Sequence, residues 1–138
     1  MAVESPDLEA AAEHYASTLC EIAGSLPVLD LVHLGLGPDG HTALLVPEDL
    51  VLNVADRDVA LPGAYQGRRR MTMTYPIIDR ARRLLWLVTG SEKVNMVARL
   101  RESDDSVPAG RVQQDRAILF VDPAAVADKA DSGTMKAS

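Results

Sequence analysis

Leu8, Ala12, Tyr15, Leu19 and Ile22 recur at helical spacing along the first stretch of the chain, which predicts an amphipathic helix over residues 7–24. Ser5 is the expected N-cap, Pro6 suits the first helical position, and Asp7 and Glu9 favour the positive helix end. Gly24 and Pro27 should stop it. The next apolar run, Leu31 to Leu36, is brief and is followed at once by Gly and Pro. It reads as a buried strand over 30–36. After it the pattern weakens. Thr42 to Val46 has room for one or two helical turns before Pro47 interrupts them. Residues 48–67 read as irregular, with a short strand candidate at 58–61. Met71 to Tyr75 alternates as a strand does, and Pro76 then opens a short helix, Ile77 to Arg83. Leu84 to Val88 is a second buried strand, and Ala117 to Val121 is the last. Between them a helix starts after Thr89-Gly90-Ser91 and runs to about Arg101, followed by a polar loop at 103–110. Helices alternating with strands predict an α/β domain, layered on a largely parallel sheet with right-handed crossovers. Residues 1–122 form that single domain, and 123–138, rich in Ala, Asp, Lys and Ser, read as a flexible tail.

With 138 residues the chain can bury one core. A net charge of −6 argues against bulk nucleic-acid binding, so an anionic ligand would need a local basic patch. The single cysteine, Cys20, cannot form an internal disulfide and reads as packing on the first helix. No apolar run approaches the roughly 20 residues that span a bilayer, and the first residues have neither the basic nor the apolar region of a signal peptide. The expectation is a cytoplasmic protein without membrane or nucleic-acid partners.

Three clusters bear chemistry. Gly35-x-Gly37-x-x-Gly40 matches the dinucleotide fingerprint literally. Pro38 stiffens the turn, and Pro47 cuts off the helix whose N-terminus would face a pyrophosphate, so nicotinamide or flavin binding is disfavoured. Asp39-Gly40-His41 offers an imidazole that titrates near neutrality, beside a carboxylate able to orient it. The competing reading has Asp39 cap a short helix at 41–46, with His41 a satisfied surface residue. His33 lies within the strand and reads as structural; His14 lies on the first helix and reads as solvated. The third cluster is basic: Arg68, Arg69, Arg70 and Lys93. Lys93 in a first helical turn is a cation where the helix dipole disfavours one. Either an anion sits there with Ser91 and the helix N–H groups, or the lysine is solvated and pairs with a carboxylate. Alternation sends Arg68 and Arg70 to one face and Arg69 to the other. No set of His, Cys and carboxylates has metal-ligand spacing. A basic pocket beside a histidine base suggests a small phosphorylated substrate.

Leu34-Gly-Leu-Gly-Pro-Asp-Gly-His-Thr-Ala43 resembles the signature of the 6-phosphogluconolactonases, and Arg70-Met-Thr-Met-Thr-Tyr-Pro-Ile-Ile78 and Leu87-Val-Thr-Gly-Ser-Glu-Lys93 resemble that family's next two blocks, in order. The resemblance implies part of a three-layer α/β sandwich with a largely parallel sheet. It also implies hydrolysis of 6-phospho-D-glucono-1,5-lactone to 6-phosphogluconate in the pentose phosphate pathway, without metal or cofactor. His41 would be the general base, Lys93 would bind the phosphate, and Arg70 would contact substrate more weakly. Asp39, Gly37 and Gly40 would shape the site, with Ser91 beside the phosphate. The related glucosamine-6-phosphate deaminases follow the His with Ile-Ala-Phe-Asn-Glu-Pro; here Thr-Ala-Leu-Leu-Val-Pro lacks that glutamate.

Two departures stand out. The resemblance covers roughly residues 7–121 but only the C-terminal part of the family. The family's Ser-Gly-Gly-Ser/Thr phosphate loop and Asp-Glu-Arg block have no counterpart. Leu44 also replaces the serine usual after His-Thr-Ala. Missing strands would leave sheet edges and apolar faces open, inviting self-association or a partner that supplies the N-terminal half. The alternatives are therefore a weakly active or non-catalytic sugar-phosphate-binding remnant, or an isomerase or deaminase of the same superfamily.

Overall fold

The computed structural model describes residues 7–63 and 70–127. Helix α1 (Leu8–Ala23) is capped by Asp7, whose carboxylate accepts the Ala10 N–H at 3.0 Å. The cap therefore lies two residues after the expected Ser5, and Ser5 and Pro6 lie outside the described residues. Strand β1 (Val32–Leu34) is shorter than the apolar run suggested. Strands β2 (Val59–Ala60) and β3 (Thr72–Met73) form a small antiparallel ribbon. Helix α2 (Tyr75–Arg80) starts one residue before Pro76 and ends before the expected Arg83, because Ala81 leaves the helical conformation. Strand β4 (Leu84–Val88) leads through a 3-10 turn at Ser91–Lys93 into α3 (Val94–Arg101). Strand β5 (Ala117–Val121) and the short helix α4 (Pro123–Val126) complete the order.

The main sheet has the order β1-β4-β5, with both pairings parallel. Register aligns Leu34, Trp86 and Leu119 across it. Val32, Leu34, Leu84, Trp86 and Val88 form its buried face. They share one cluster with Ala12 and Leu19 of α1, Ile77 and Ile78 of α2, Val97 and Leu100 of α3, and Ala125 of α4. The ribbon is tied on by a largely buried pair, Arg80 to Asp58 at 2.7 Å, and by the Arg80 Nε–H donating to the Pro27 carbonyl at 3.1 Å. The expected parallel α/β layering is therefore present.

Three loop expectations differ. No helix forms at 41–46. Thr42 and Leu45 instead close a tight turn on each other, with Leu45 N–H donating to Thr42 O at 2.9 Å and Ala43 at φ +51°. The Leu44 N–H is committed to the Thr72 hydroxyl at 3.2 Å, which removes a helical donor. The stretch at 103–110 is not simply a solvated loop: Val107 to Gly110 are buried, and Pro108–Arg111 make a 3-10 turn. Beyond Asp122 the chain still buries surface, since Ala125 is fully enclosed. Of the residues read as a tail, 128–138 lie outside the described residues.

The opposite sheet face carries Leu87, Ile118 and Phe120, each 45–57% exposed, beside His33, which is also exposed. Parallel sheets ordinarily have both faces covered, and among the described residues this apolar strip is about half-exposed. Phe120→Thr keeps a β-compatible residue there. It is expected to shift stability by no more than about 0.5 kcal/mol in urea unfolding. It should also weaken any concentration-dependent association seen by sedimentation velocity.

Candidate functional site

All the candidate residues but Arg70 lie in the loops that follow the parallel strands β1 and β4, the edge at which open α/β sheets place ligands. The loop after β1 carries Gly37, Asp39, Gly40 and His41; the turn after β4 carries Ser91 and Lys93.

The loop after β1 is held as a compact turn. Gly40 N–H donates to Gly37 O at 3.0 Å, and Gly37 N–H donates to His41 O at 2.8 Å. Asp39 Oδ1 accepts the His41 backbone N–H at 3.1 Å and lies 2.5 Å from His41 Nδ1. The reading of Asp39 as a helix cap is thus corrected: there is no helix behind it, and its carboxylate binds the histidine itself. Two glycines are required. A Cβ on Gly37 would fall 2.1 Å from both Cε1 and Nδ1 of His41. Gly40 sits at φ +86°, and a Cβ there would strike Val107 Cβ at 2.7 Å. The Gly40 carbonyl in turn accepts the Ala109 N–H at 2.9 Å. The buried turn at 107–110 therefore buttresses the histidine loop from below. Tyr75 pins that buttress by donating its hydroxyl to Pro108 O at 2.6 Å. Burial pushes the Tyr75 pKa up to about 12, with Arg111 opposing and Asp79 assisting, so the hydroxyl keeps its proton.

Burial alone would raise the Asp39 pKa. The His41 backbone N–H, the ring hydrogen bond and the charge of a protonated imidazole outweigh it and hold the carboxyl below its usual value of 3.8. A depressed carboxyl stabilises the fold above the unfolded-state pKa, and that contribution is lost as pH falls through the folded-state value. Asp39→Asn is therefore expected to be less stable than the parent near pH 6, with the gap closing below about pH 3.8. The gap should not exceed about 1 kcal/mol, because the side chain is 45% exposed and solvent screens it. Urea unfolding at both pH values checks this.

Lys93 occupies the N-cap position of α3 rather than its first turn. Its Nζ donates to the carbonyl of Leu36, the residue before Gly37. The ammonium is half-buried between the ends of β1 and β4 on a backbone oxygen, not on a carboxylate. Lysine has three donors, so a carbonyl partner leaves the charge uncompensated for an anion. Ser91 is exposed at the start of the 3-10 turn, where its carbonyl accepts the Val94 N–H. Arg70 is half-buried, and its Nε is enclosed without a hydrogen-bond partner among the described residues. No described ion pair or hydrogen bond joins Arg70 to Asp39 or Lys93. Arg68 and Arg69 lie outside the described residues. A broad groove of about 540 Å³ between α1 and β2, lined by Glu9, Glu13 and Arg57 among others, includes none of these residues. Among the described residues no cluster of His, Cys, Asp and Glu could hold a metal ion, and no helix is long and apolar enough to cross a membrane.

Sequence reasoning missed the Leu36 carbonyl, the 107–110 buttress and the Thr72 hydroxyl. Backbone acceptors and contacts across dozens of residues leave no local signal.

A family model described as glucosamine-6-phosphate isomerases/6-phosphogluconolactonase matches residues 1–120. The chain belongs to this family. Within the family, a 6-phosphogluconolactonase from Synechocystis sp. is 41% identical over 97 residues, which is 67% of this chain and 40% of that protein. The 6-phosphogluconolactonase of Homo sapiens is 36% identical over 131 residues, 88% of this chain and 51% of that protein. A solved 6-phosphogluconolactonase from Trypanosoma brucei superposes with a TM-score of 0.76 at 25% identity, covering 91% of this chain and 55% of that one. The chain thus spans about half the length of the family members it matches.

Proposed function

We propose that the chain works in the hydrolysis of 6-phospho-D-glucono-1,5-lactone to 6-phosphogluconate, a step of the pentose phosphate pathway. The observation that carries this is the Asp39–His41 pair at 2.5 Å, backed against Gly37, whose neighbour Leu36 takes the Lys93 contact. Asp39 on Nδ1 selects the tautomer whose basic lone pair is on Nε2. That nitrogen takes a proton from water as the oxygen adds to the lactone carbonyl carbon. The tetrahedral intermediate collapses by breaking the bond to the ring oxygen, and the imidazolium returns its proton to the departing alkoxide. Ring opening leaves a hydroxyl and a carboxylic acid, and the acid releases the second proton of the water to solvent to give the carboxylate, so atoms balance without a covalent intermediate.

Lys93 meets the phosphate with Ser91 beside it, and Arg70 supplies a further cationic contact. Gly37 and Gly40 shape the loop, and no cofactor takes part. The relatives named above support the lactonase over the isomerase branch, as does the absence of glutamate after the His41 block. A phosphorylated sugar substrate and a lone cysteine fit a cytoplasmic setting.

The test is lactone hydrolysis by the chain on 6-phosphogluconolactone generated in situ, against a no-enzyme blank, with ammonia release from glucosamine 6-phosphate assayed in parallel. A rate well above the blank and no ammonia is the expected result. Ammonia release would overturn it in favour of a deaminase. A rate equal to the blank with retained 6-phosphogluconate binding would make the chain a binding remnant.

A further inference from the structure

Beyond the two loops already described, a third meets the same sheet edge. Asp122 follows β5 directly, while Gly90 and Leu36 each lie two residues beyond the ends of β4 and β1. Its carboxylate accepts the Gly90 N–H on both oxygens, at 3.2 and 3.3 Å, and the Ala125 N–H at 3.0 Å. Its own N–H donates to Val88 O at 3.3 Å. The Gly90 carbonyl accepts the Lys93 N–H at 3.1 Å, and Lys93 Nζ reaches the Leu36 carbonyl. These bonds run in sheet order, from the end of β5 across β4 to β1. They form one strap, and the ammonium is its last link.

We propose that Asp122 is a positioning residue for Lys93, setting the ammonium where a substrate phosphate is received. The proposal rests on the reading that Lys93 meets the phosphate. Asp122 does not touch the ligand. It anchors the N–H of Gly90 with an ionised acceptor, and hydrogen bonds to charged groups are roughly twice as strong as neutral ones. The turn from Gly90 to Lys93 is a single 3-10 turn without a side-chain cap, so little else fixes where Lys93 starts. The competing role is a cap for α4 alone, through Ala125. A cap of that kind changes the melting temperature but leaves Lys93 where it is.

The experiment compares the parent chain with Asp122→Ala, Asp122→Asn and Lys93→Ala, each held below its melting temperature as followed by circular dichroism. Two readouts are taken. One is the acylation rate of Lys93 by acetic anhydride, measured by mass spectrometry. The other is the affinity for 6-phosphogluconate by calorimetry. Asp122→Ala is expected to raise the acylation rate and weaken binding about tenfold. Asp122→Asn, which keeps one acceptor oxygen, should fall between it and the parent. Unchanged acylation at Lys93 in both Asp122 variants overturns the proposal, whatever happens to melting. The reading beneath it fails separately: if Lys93→Ala binds 6-phosphogluconate as the parent does, Lys93 is not the phosphate ligand. If no protein binds it, acylation alone decides the role of Asp122. Should Asp122→Ala not fold, the Asn variant carries both measurements.

Discussion

Gly37→Ala is expected to cost nearly as much lactone hydrolysis as His41→Ala, about 10²- to 10⁴-fold in kcat/KM. His41→Ala removes the proposed base outright. Gly37→Ala leaves the base present and takes away its place. The new Cβ would lie 2.1 Å from two ring atoms, far inside van der Waals contact, so the imidazole must turn away. Turning breaks the Nδ1 contact with Asp39, and with it the proposed preference for the tautomer that is basic at Nε2. The backbone cannot yield instead, because Gly37 N–H is bonded to His41 O and Gly37 O to Gly40 N–H. Steady-state hydrolysis above the blank, for the parent and both variants, measures the loss. Ring nitrogen shifts in NMR should show the tautomer scrambled in Gly37→Ala, with the fold intact. A Gly37→Ala protein that turns over like the parent would remove His41 from the chemistry.

That prediction also shows what the sequence made legible. The turn from Gly37 to His41 was readable as far as its own bonds go, Gly40 N–H to Gly37 O and His41 N–H to Asp39, which lie within five residues, whereas its support from Val107 and Ala109 was not. The strands were readable for a similar reason: Leu84–Val88 and Ala117–Val121 are short, uncharged apolar runs of strand length. The misreadings share the opposite cause. Residues 42–46 look helical in isolation, yet their shape is decided by the Thr72 hydroxyl, 28 residues on. The stretch 103–110 is polar in composition, yet it is drawn inward by the Gly40 carbonyl and the Tyr75 hydroxyl. The described partner of the Lys93 ammonium is a backbone carbonyl rather than a carboxylate, a partner that sequence does not display. The Asp122 link to Gly90 belongs to the same class. Parallel strands place consecutive loops side by side only once the sheet order is known, and here β4 lies between β1 and β5.

The largest stability loss is expected at the centre of that order. Trp86→Ala should cost about 3–5 kcal/mol. Trp86 is 1% exposed, sits mid-strand on β4, and packs in register between Leu34 and Leu119. Deleting the indole opens a cavity under all three strands whose ends carry the candidate site. Urea unfolding gives the loss directly, and the Lys93 and His41 loops should loosen with it. Trp86→Phe separates the two components of that cost. The indole Nε1–H is buried without a hydrogen-bond partner among the described residues, and such a group costs about 1–3 kcal/mol relative to one that is satisfied. Phenylalanine gives up part of the packed volume and removes this N–H. The two changes oppose each other at similar magnitude, so Trp86→Phe is expected to lie within about 1.5 kcal/mol of the parent. If it cost as much as alanine, the indole N–H would have a favourable partner. If it matched the parent, removal of the unpartnered N–H would offset the lost ring volume in full.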